Sequence, residues 1–424
     1  MDFESIREQF PILRRQVHGR PLVYLDSAAT AQKPLRVIEA EGDFYRTVNA
    51  GVHRGAHELA ALSTDAFERA RASMARLVGA NASEGEEEIV VTAGATAGLN
   101  LLATAFGNAS QGCGGAEARR FALGPGDELV VSKAEHHSVL LPFQELARRT
   151  GATLRWLDLT EDGRVRVDAL DEVITDRAKV VAVTHVGNVT GAVTDVAPIV
   201  RRAHEVGALF VLDACQSVPH LAVDFHALDV DFAAWSAHKM YGPTGVGFLY
   251  GRRELLETLP PASFGGSMVE LAWMDKPARY MAPPARFEAG TQPVAQVVAA
   301  GVAAEWMMEV GMDRIADHER AVTRELLALG DVDGVRILGP ADAEDRIGTV
   351  AFDVDGVHPH DVGQLLDSAG IAIRVGHHCA QPVHRHFGVY SSNRASCGVY
   401  NTVDEARELV EAVRGVRGFF GLTS

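Results

Sequence analysis

The sequence predicts an α/β fold, with a large domain on a mostly parallel sheet and a small C-terminal α+β domain. Short β-branched runs alternate with helical patterns through the first 300 residues, which is the order typical of a parallel sheet. After about residue 300, a long helical pattern leads to a second, shorter group of strands and helices. Because 424 residues exceed one typical core, we expect a large domain at 26–300 and a small domain from 1–25 and 301–424.

The individual elements follow in chain order from these patterns. The predicted strands of the large domain are EEIVVT (87–92), DELVVS (127–132), KVVAVTH (179–185), LFVLDA (209–214), VDFAAWS (230–236) and GVGFLY (245–250). Helical patterns such as PFQELARRTG and VAPIVRRAHEVG lie between them. One long helical pattern covers about 300–330. It is followed by the strands VRILGP, TVAFDV and IAIRVG and by helices near DVGQLLDSAG and TVDEARELVEAVRG.

Composition and charge narrow the possible partners. The formal net charge is −16, which argues against non-specific binding to nucleic acid or to an anionic membrane. The N-terminus is acidic and amphipathic, and the longest apolar runs are too short to span a bilayer, so we expect a cytoplasmic protein. The four cysteines are too few and too scattered for a disulfide framework in a reducing compartment: Cys113, Cys215, Cys379 and Cys397.

Lys239 follows a predicted strand and precedes a Gly/Pro-rich turn in WSAHKMYGPTGVG. A Walker loop places its lysine after the glycines, and a Rossmann loop leads into a helix, whereas here another strand follows. A lysine at a strand end can instead form a Schiff base with an aldehyde cofactor. Lys239 is therefore a candidate for binding pyridoxal 5′-phosphate.

Pyridoxal phosphate makes further demands, and residues near other strand ends meet them. The pyridine nitrogen requires a carboxylate, for which Asp213 is the candidate. The phosphate requires donors, and the amide of Ala95 with Thr96 at a helix start, together with Ser236 and His238, can supply them. His136 can stack on the ring.

The stretch RVGHHCAQP (374–382) is open to several readings by itself. A metal site would use His377, His378, Cys379, His384 and His386. A Cys–His hydrolase would need an oxyanion hole and an orienting residue, and the sequence identifies neither. A third reading is a loop thiol that acts on a substrate held by the cofactor.

Motifs along nearly the whole chain resemble one family. They are YLDSAATAQKP, VHRGAHEL, AEHHSVLLPFQELA, VAVTHVGNVTGAV, LDACQSVPH, SAHKMYGPTGVGFLYG, PARFEAGTQ, VRVGHHCAQP and RASCGVYNT. With these motifs the chain resembles the class V aminotransferase superfamily of fold-type I pyridoxal-phosphate transferases. More narrowly, it resembles the group II, SufS-type cysteine desulfurases, and its closest likeness is to actinobacterial members.

The resemblance implies a role for each matching residue. Lys239 would carry the cofactor, Asp213 would pair with its ring nitrogen, and Gln216 would bind its phenolic oxygen. His136 would stack on the ring and assist proton transfer. The phosphate would be held by Ala95, Thr96, Ser236 and His238, helped by Thr291 from the other subunit of a homodimer. Asn188, Arg394 and Arg374 would bind the substrate, with the fork of Arg394 suited to its carboxylate.

The implied reaction converts L-cysteine to L-alanine and leaves a persulfide on Cys379, which a sulfur acceptor of SufU or SufE type would take for iron–sulfur cluster assembly. His360 would contact a zinc-bearing acceptor. Alternatives within the family are a selenocysteine lyase, a cysteine sulfinate desulfinase and a sulfur donor for another pathway. An alternative of another class is a catalytically idle scaffold that only binds the acceptor.

This chain departs from the family pattern at three positions. Many relatives have Thr-Thr-Glu at Ala95, Thr96 and Ala97, and serine is common at Gly187. The change at Ala95 leaves only its amide for the phosphate. Cys215 lies two residues after Asp213, beside the expected cofactor site, and is interpreted as a packing residue.

Overall fold

The computed structural model describes residues 2–80 and 85–422. The strands are β1 Gln16–Val17, β2 Arg20–Pro21, β3 Val23–Tyr24, β4 Ile89–Thr92, β5 Glu128–Ser132, β6 Thr153–Leu157, β7 Ala178–Thr184, β8 Leu209–Asp213, β9 Phe232–Ser236, β10 Gly247–Gly251, β11 Val269–Leu271, β12 Arg279–Tyr280, β13 Val335–Ile337, β14 Thr349–Val354, β15 Ile371–Ala372, β16 Arg374–Gly376 and β17 Ser392–Ser396.

The α-helices are α1 Phe3–Arg7, α2 Leu35–Thr47, α3 Glu58–Leu77, α4 Ala95–Ser110, α5 His137–Thr150, α6 Leu170–Val173, α7 Ala197–Glu205, α8 Arg253–Leu256, α9 Val294–Val310, α10 Met312–Leu327, α11 Pro359–Ser368, α12 Gln381–His386, α13 Val403–Arg414 and α14 Val416–Phe419. A short 3₁₀ turn, Ala237–Lys239, follows β9 directly.

A seven-stranded sheet forms the larger part of the fold, in the order β4-β10-β9-β8-β7-β5-β6. Strand β10 runs antiparallel to both of its neighbours, and the pairs from β9 to β6 are parallel. The prediction of a mostly parallel α/β sheet is therefore confirmed. The six strands predicted in this region are present, and edge strand β6 was missed because TLRWL contains a charged residue and has its central positions partly exposed.

Each face of the sheet packs against helices, as its sequence pattern requires. Val181 and Val183 point to the face covered by α3, α7 and α9, while Val180 and Ala182 point to the face covered by α4 and α5. Successive side chains of a strand alternate between faces, so a continuous apolar run such as VVAV is typical of a strand that is buried on both sides.

A four-stranded sheet, in the order β13-β14-β17-β16, lies in the C-terminal part of the chain and packs with α10, α11 and α13. The strands predicted at VRILGP, TVAFDV and IAIRVG are present, although IAIRVG is divided between β15 and β16. Strand β17 was not predicted because SNRAS is polar. All five of its residues are nevertheless buried.

The long helical pattern at 300–330 is two helices rather than one. Helix α9 ends at Val310 and α10 begins at Met312, and the segments Val294–Val310 and Met312–Asp331 are bent by 78°. Gly311 lies between them with φ = 93°, a conformation that favours glycine. The bend turns the chain from the large sheet towards the small one.

The N-terminal segment contacts both parts of the fold. Strand β3 pairs in parallel with β15, which joins the chain's beginning to its C-terminal part. Ile6 and Phe10 pack instead into the core beside the large sheet. The domain limits at residues 25 and 300 stay a prediction.

Within residues 2–80 and 85–422, none of the helices taken alone combines the length and the hydrophobicity that a membrane span requires. The bent pair Val294–Val310 and Met312–Asp331 reaches that length and hydrophobicity only when its two segments are taken together.

Candidate active site

Most of the predicted site residues meet in one cavity of about 190 Å³ at the carboxyl ends of the parallel strands of the large sheet, and β16 and β17 of the four-stranded sheet add Arg374 and Arg394. Its lining includes Ala95, Thr96, His136, Asn188, Asp213, Gln216, Ser236, His238, Lys239, Arg374 and Arg394. Twelve of the thirteen predicted site residues, all but Thr291, therefore border this cavity or the groove that adjoins it.

Lys239 lies at the end of the 3₁₀ turn that follows β9, and it is half-buried. The carbonyl of the preceding residue, His238, accepts hydrogen bonds from Ala31 N, Thr30 Oγ1 and Lys33 Nζ at 3.0–3.1 Å. Burial lowers the pKa of Lys33 to about 8. The motif AATAQK thus fixes the backbone next to the candidate cofactor lysine.

Asp213 ends β8 and is fully buried. Burial raises the pKa of its carboxyl, while the positive charge of Lys239 opposes that rise. Its Oδ1 accepts the backbone N–H of Cys215 at 2.9 Å. Burial also raises the pKa of the Cys215 thiol to about 12, which supports the interpretation of Cys215 as a packing residue rather than a nucleophile.

The first turn of α4 lies against the end of β9. The backbone N–H of Ala95 donates to Ser236 Oγ at 2.9 Å. Gly94, which has φ = 144°, and Gly247 of β10 permit this close approach, because a side chain at Gly247 would collide with the backbone of Gly94. Thr96 Oγ1 lies 2.7 Å from Ser138 Oγ in the first turn of α5.

The ring of His136 has a defined tautomer. The backbone N–H of Ser138 donates to His136 Nδ1 at 3.0 Å, so the neutral ring carries its proton on Nε2. Burial and the positive charge of Lys239 lower the pKa of His136 to about 3. His136 is therefore neutral near pH 7 and presents an N–H donor.

Arg394 lies in the middle of β17, is fully buried and lines the cavity. Its Nη1 donates to the carbonyl of Asn188 at 3.0 Å, and its Nη2 lies 3.4 Å from Asp26 Oδ1. Burial lowers the pKa of Arg394 to about 10, and the carboxylate of Asp26 opposes this effect. Arg374 borders the same cavity from β16, opposite Arg394 in the sheet register.

Cys379 is half-buried on the loop between β16 and α12. It and His378 have positive φ values, 56° and 50°, which are unfavourable for residues with side chains. Two hydrogen bonds hold this conformation: Asn188 Nδ2 donates to the carbonyl of His378 at 2.6 Å, and the N–H of His137 donates to the carbonyl of Cys379 at 2.7 Å.

The loop lies where two spaces meet. Cys379 borders a groove of about 770 Å³ between α4 and α5, whereas His378 borders the inner cavity. Thr96, His136 and Ser138 border both. The thiol is thus placed at the entrance to the cavity that contains Lys239.

The histidines around Cys379 serve the loop's own structure. Ser392 Oγ lies 3.0 Å from His378 Nε2 and 2.9 Å from His384 Nε2, and burial lowers the pKa of His378 to about 2. His377 contacts Tyr390 edge to face. In the described part of the chain, no group of three or more His, Cys, Asp or Glu side chains is arranged to hold a metal ion.

Thr291 lies outside the cavity. It is exposed, and its neighbour Gln292 borders a different cavity that is lined also by Arg71 and Glu288. A buried ion pair between Arg71 and Glu288, at 2.6 Å, fixes the backbone close to Thr291. The structure of one chain therefore does not bring Thr291 to the other candidate phosphate residues.

Sequence reasoning missed four residues that support the site: Asp26, Lys33, Glu135 and Ser138. Glu135 is fully buried, accepts the N–H of Thr184 at 3.0 Å, and has its pKa raised to about 8 by burial. Lys33 and Asp26 belong to the YLDSAATAQK motif and Ser138 to AEHHSV, so their position inside quoted motifs was the available signal.

Comparison with known proteins agrees with this geometry. Residues 23–409 match the family described as aminotransferase class-V. A probable cysteine desulfurase of Mycobacterium leprae is 50% identical over 424 residues, with 99% of this chain and 98% of the relative covered. A probable cysteine desulfurase of Streptomyces coelicolor is 46% identical over 423 residues, with coverage of 99% and 98%.

Solved structures show the same fold. The apo cysteine desulfurase of Thermococcus onnurineus superposes with a TM-score of 0.89 at 34% identity and covers 97% of each chain. The Escherichia coli cysteine desulfurase CsdA, in an S-sulfonic acid form, superposes with a TM-score of 0.87 at 37% identity and covers 100% of each chain.

Enzymes of this family use pyridoxal phosphate, and the cavity fits that cofactor. Among the described residues, Asn188 Oδ1, Gln216 Oε1 and Arg394 Nε are buried without a hydrogen-bond partner, which is costly unless a bound molecule pairs with them. Asp213 supplies the buried carboxylate, and the amine of Lys239 is available for an aldehyde. The chain therefore belongs to the aminotransferase class-V family and is, within it, a pyridoxal-phosphate-dependent cysteine desulfurase.

Proposed function

We propose that this enzyme is a SufS-type desulfurase that converts L-cysteine to L-alanine and collects the sulfur as a persulfide on Cys379. The observation that carries the proposal is the position of Cys379, on a tethered loop at the entrance of the cavity that contains Lys239 and Asp213. An enzyme that only transferred amino groups would have no use for a thiol at this place.

The cofactor would be held at three points. Lys239 would bind its aldehyde carbon, Asp213 its ring nitrogen, and the Ala95 amide with Thr96, Ser236 and His238 its phosphate. Gln216 would contact the phenolic oxygen, and His136 would cover the ring. When bound, pyridoxal phosphate supplies an electron sink that makes the Cα proton of an amino acid acidic.

The substrate carboxylate would bind Arg394, whose guanidinium is already oriented by Asp26 and by the carbonyl of Asn188. Orientation before binding reduces the entropy lost when the substrate is fixed. The side chain of Asn188 and Arg374 would complete this subsite. Because Arg394 is buried, the attraction between the two charges would be strong once the substrate displaces water.

After the substrate amine has replaced it at the cofactor, the freed amine of Lys239 would remove the Cα proton of the substrate, because it lies in the same cavity as Asp213. His136 would act as a hydrogen-bond donor through Nε2, since its Nδ1 is occupied by the N–H of Ser138. The proton transfer that the family resemblance implies for His136 would thus involve Nε2 alone.

Cys379 would then attack the substrate sulfur as a thiolate. An S–S bond forms, the Cβ–S bond of the substrate breaks, and the carbon keeps the bonding electron pair and gains a proton. The balance is cysteine plus one thiol to alanine plus one persulfide, with no external oxidant or reductant. The half-exposed loop allows the terminal sulfur to pass onward.

The persulfide would be transferred to a sulfur-acceptor protein of SufU or SufE type for iron–sulfur cluster assembly. The enzyme would act as a homodimer in which Thr291 reaches the phosphate site of the other subunit. The exposed position of Thr291, beside a separate cavity, supports this arrangement.

The test measures alanine and sulfide formed from L-cysteine, with and without a candidate acceptor, for wild type, Cys379→Ser and the exposed-site control Cys113→Ser. We expect Cys379→Ser to lose more than 100-fold in alanine formation, because the step needs a thiolate, and to keep the cofactor's visible absorption. Full activity of Cys379→Ser would reject the proposal. Parallel assays with selenocysteine and cysteine sulfinate separate the alternative substrates.

A further inference from the structure

We propose that the hydroxyl of Ser138 is a phosphate-binding group of the cofactor site, contributed by α5 beside the groups that α4 and β9 provide. This inference rests on the proposed placement of the phosphate next to Ala95, Thr96 and Ser236. It adds a residue to which the motif resemblance assigns no role.

Two helices begin at the same point of the cavity. Thr96 is in the first turn of the 16-residue α4, and Ser138 is in the first turn of the 14-residue α5. Their hydroxyl oxygens are 2.7 Å apart, and both residues border the inner cavity. The positive ends of two helix dipoles thus meet where the two hydroxyls lie, an arrangement that favours an anion.

The backbone amides of α5 are already engaged in other hydrogen bonds. The N–H of His137 donates to the carbonyl of Cys379, and the N–H of Ser138 donates to His136 Nδ1. An anion at this point therefore meets the Ser138 hydroxyl rather than the main chain of α5. On α4, the Ala95 amide donates to Ser236 Oγ in this structure, so a phosphate would compete with Ser236 for that donor, and hydroxyl donors gain importance.

The hydroxyl proton of Ser138 is free to point into the cavity. Ser138 Oγ lies 3.0 Å from His136 Nδ1, but that nitrogen has one lone pair and already accepts the N–H of Ser138. The proton can therefore turn to Thr96 Oγ1 or to a phosphate oxygen. Because burial lowers the pKa of His238 to about 4, that side chain is neutral near pH 7, and neutral donors gain importance for the phosphate.

The test compares two ligands on the full-length apoenzyme: pyridoxal 5′-phosphate and pyridoxal, which lacks the phosphate. Dissociation constants are measured by absorption and tryptophan fluorescence for wild type, Ser138→Ala, Ser236→Ala and Thr104→Ala. Thr104 is an exposed hydroxyl two turns further along α4 and is the matched control. Binding to the apoenzyme is read independently of turnover.

We expect Ser138→Ala to weaken pyridoxal phosphate about 10-fold, the scale of one hydrogen bond to a charged group, and to leave pyridoxal binding within about twofold of wild type. Thr104→Ala should change neither. In the Ser138→Ala background, Ala95→Ser places a hydroxyl on the neighbouring helix turn and should recover part of the lost phosphate affinity.

The remaining outcomes overturn the inference in distinguishable ways. Equal weakening of both ligands by Ser138→Ala would show that the hydroxyl acts on the ring through His136 and not on the phosphate. If Ser138→Ala keeps the wild-type preference for pyridoxal phosphate over pyridoxal, Ser138 does not bind the phosphate. A loss of that preference in Ser236→Ala would then still support the proposed position of the phosphate. If neither Ser138→Ala nor Ser236→Ala weakens the binding of pyridoxal phosphate, both the role of Ser138 and the proposed position of the phosphate are wrong.

Discussion

The side-chain amide of Asn188 donates a 2.6 Å hydrogen bond to the carbonyl of His378, the residue that precedes the candidate nucleophile Cys379. Asn188 lies just beyond the carboxyl end of β7 in the large sheet, whereas His378 belongs to the loop after β16. The hydrogen bond therefore joins the proposed substrate site to the proposed nucleophile. The backbone carbonyl of Asn188 also accepts from Arg394, so one residue contacts both.

We predict that Asn188→Ala loosens the Cys379 loop. The backbone of His378 and Cys379 is unfavourable by itself, and loss of one hydrogen bond of about 1 kcal/mol should increase the open population roughly fivefold. The measurement is the rate of alkylation of Cys379 by iodoacetamide, read by mass spectrometry against exposed Cys113 in the same molecule.

Asn108→Ala is the control for this experiment, because Asn108 lines the same groove and makes the same kind of hydrogen bond, but to the carbonyl of Pro261 rather than to the Cys379 loop. An unchanged ratio of Cys379 to Cys113 alkylation in Asn188→Ala would show that the remaining contacts hold the loop without it.

We predict that Arg394→Lys raises the KM for cysteine by about tenfold or more, because a lysine cannot reproduce the two-pronged pairing of a guanidinium with a carboxylate. Asp26→Asn should raise KM by less, since Arg394 keeps its hydrogen bond to the carbonyl of Asn188. Steady-state kinetics of alanine formation measure both. An unchanged KM in Arg394→Lys would place the substrate carboxylate elsewhere.

The contribution of Thr291 to the other subunit can be tested by complementation. Lys239→Ala and Thr291→Ala proteins should each be impaired alone. A mixed dimer has one site with both residues intact, so random mixing of subunits should recover about a quarter of wild-type sites in a twofold-symmetric dimer. Differently tagged, co-expressed chains allow the mixed dimer to be isolated, and absence of recovery in it would mean that Thr291 does not act across the interface.

Buried histidines make acid stability predictable in sign. The pKa values of His136 and His378 fall from 6.5 to about 3 and about 2, so the unfolded chain binds protons below pH 6.5 that the folded chain does not. The contribution of these two neutral histidines to the free energy of unfolding is therefore fully present above pH 6.5 and is lost as the pH falls towards 3.

The variant His378→Gln can keep a hydrogen bond to Ser392 but cannot titrate. Between pH 6 and 4 it should lose less unfolding free energy than wild type, by up to about 1.4 kcal/mol per pH unit. Urea unfolding at pH 7, 6, 5 and 4 provides the comparison. An equal slope for the two proteins would contradict the lowered pKa of His378.

The sequence predicted the elements whose hydrophobic pattern is strong. The strands that end at Asp213 and Ser236 are apolar runs bounded by polar residues. Most of the cavity could be predicted because its residues follow the carboxyl ends of such strands. Strand β17 could not be predicted in the same way. SNRAS has no apolar period, and it is a strand because the neighbouring strands β14 and β16 supply its hydrogen bonds.

The tertiary contacts of the site could not be predicted from the sequence either. Lys33, Asp26 and Ser138 lie far along the chain from the groups they contact, and only folding shows which carbonyl or hydroxyl each one meets. Gly311 is a further case. A helical pattern with one glycine is tolerated in a continuous helix, and the bend appears because the packing of α9 and α10 on different sheets requires it.

The pairing of Val23–Tyr24 with Ile371–Ala372 also affects how the protein folds during its synthesis. Synthesis proceeds from the N-terminus towards the C-terminus, so Ile371–Ala372 is made about 350 residues after Val23–Tyr24. During that time the early strand has an open hydrogen-bonding edge. This pairing can therefore form only after Ile371–Ala372 has been synthesised, and two separately expressed halves divided near residue 300 would each lack one member of the pair.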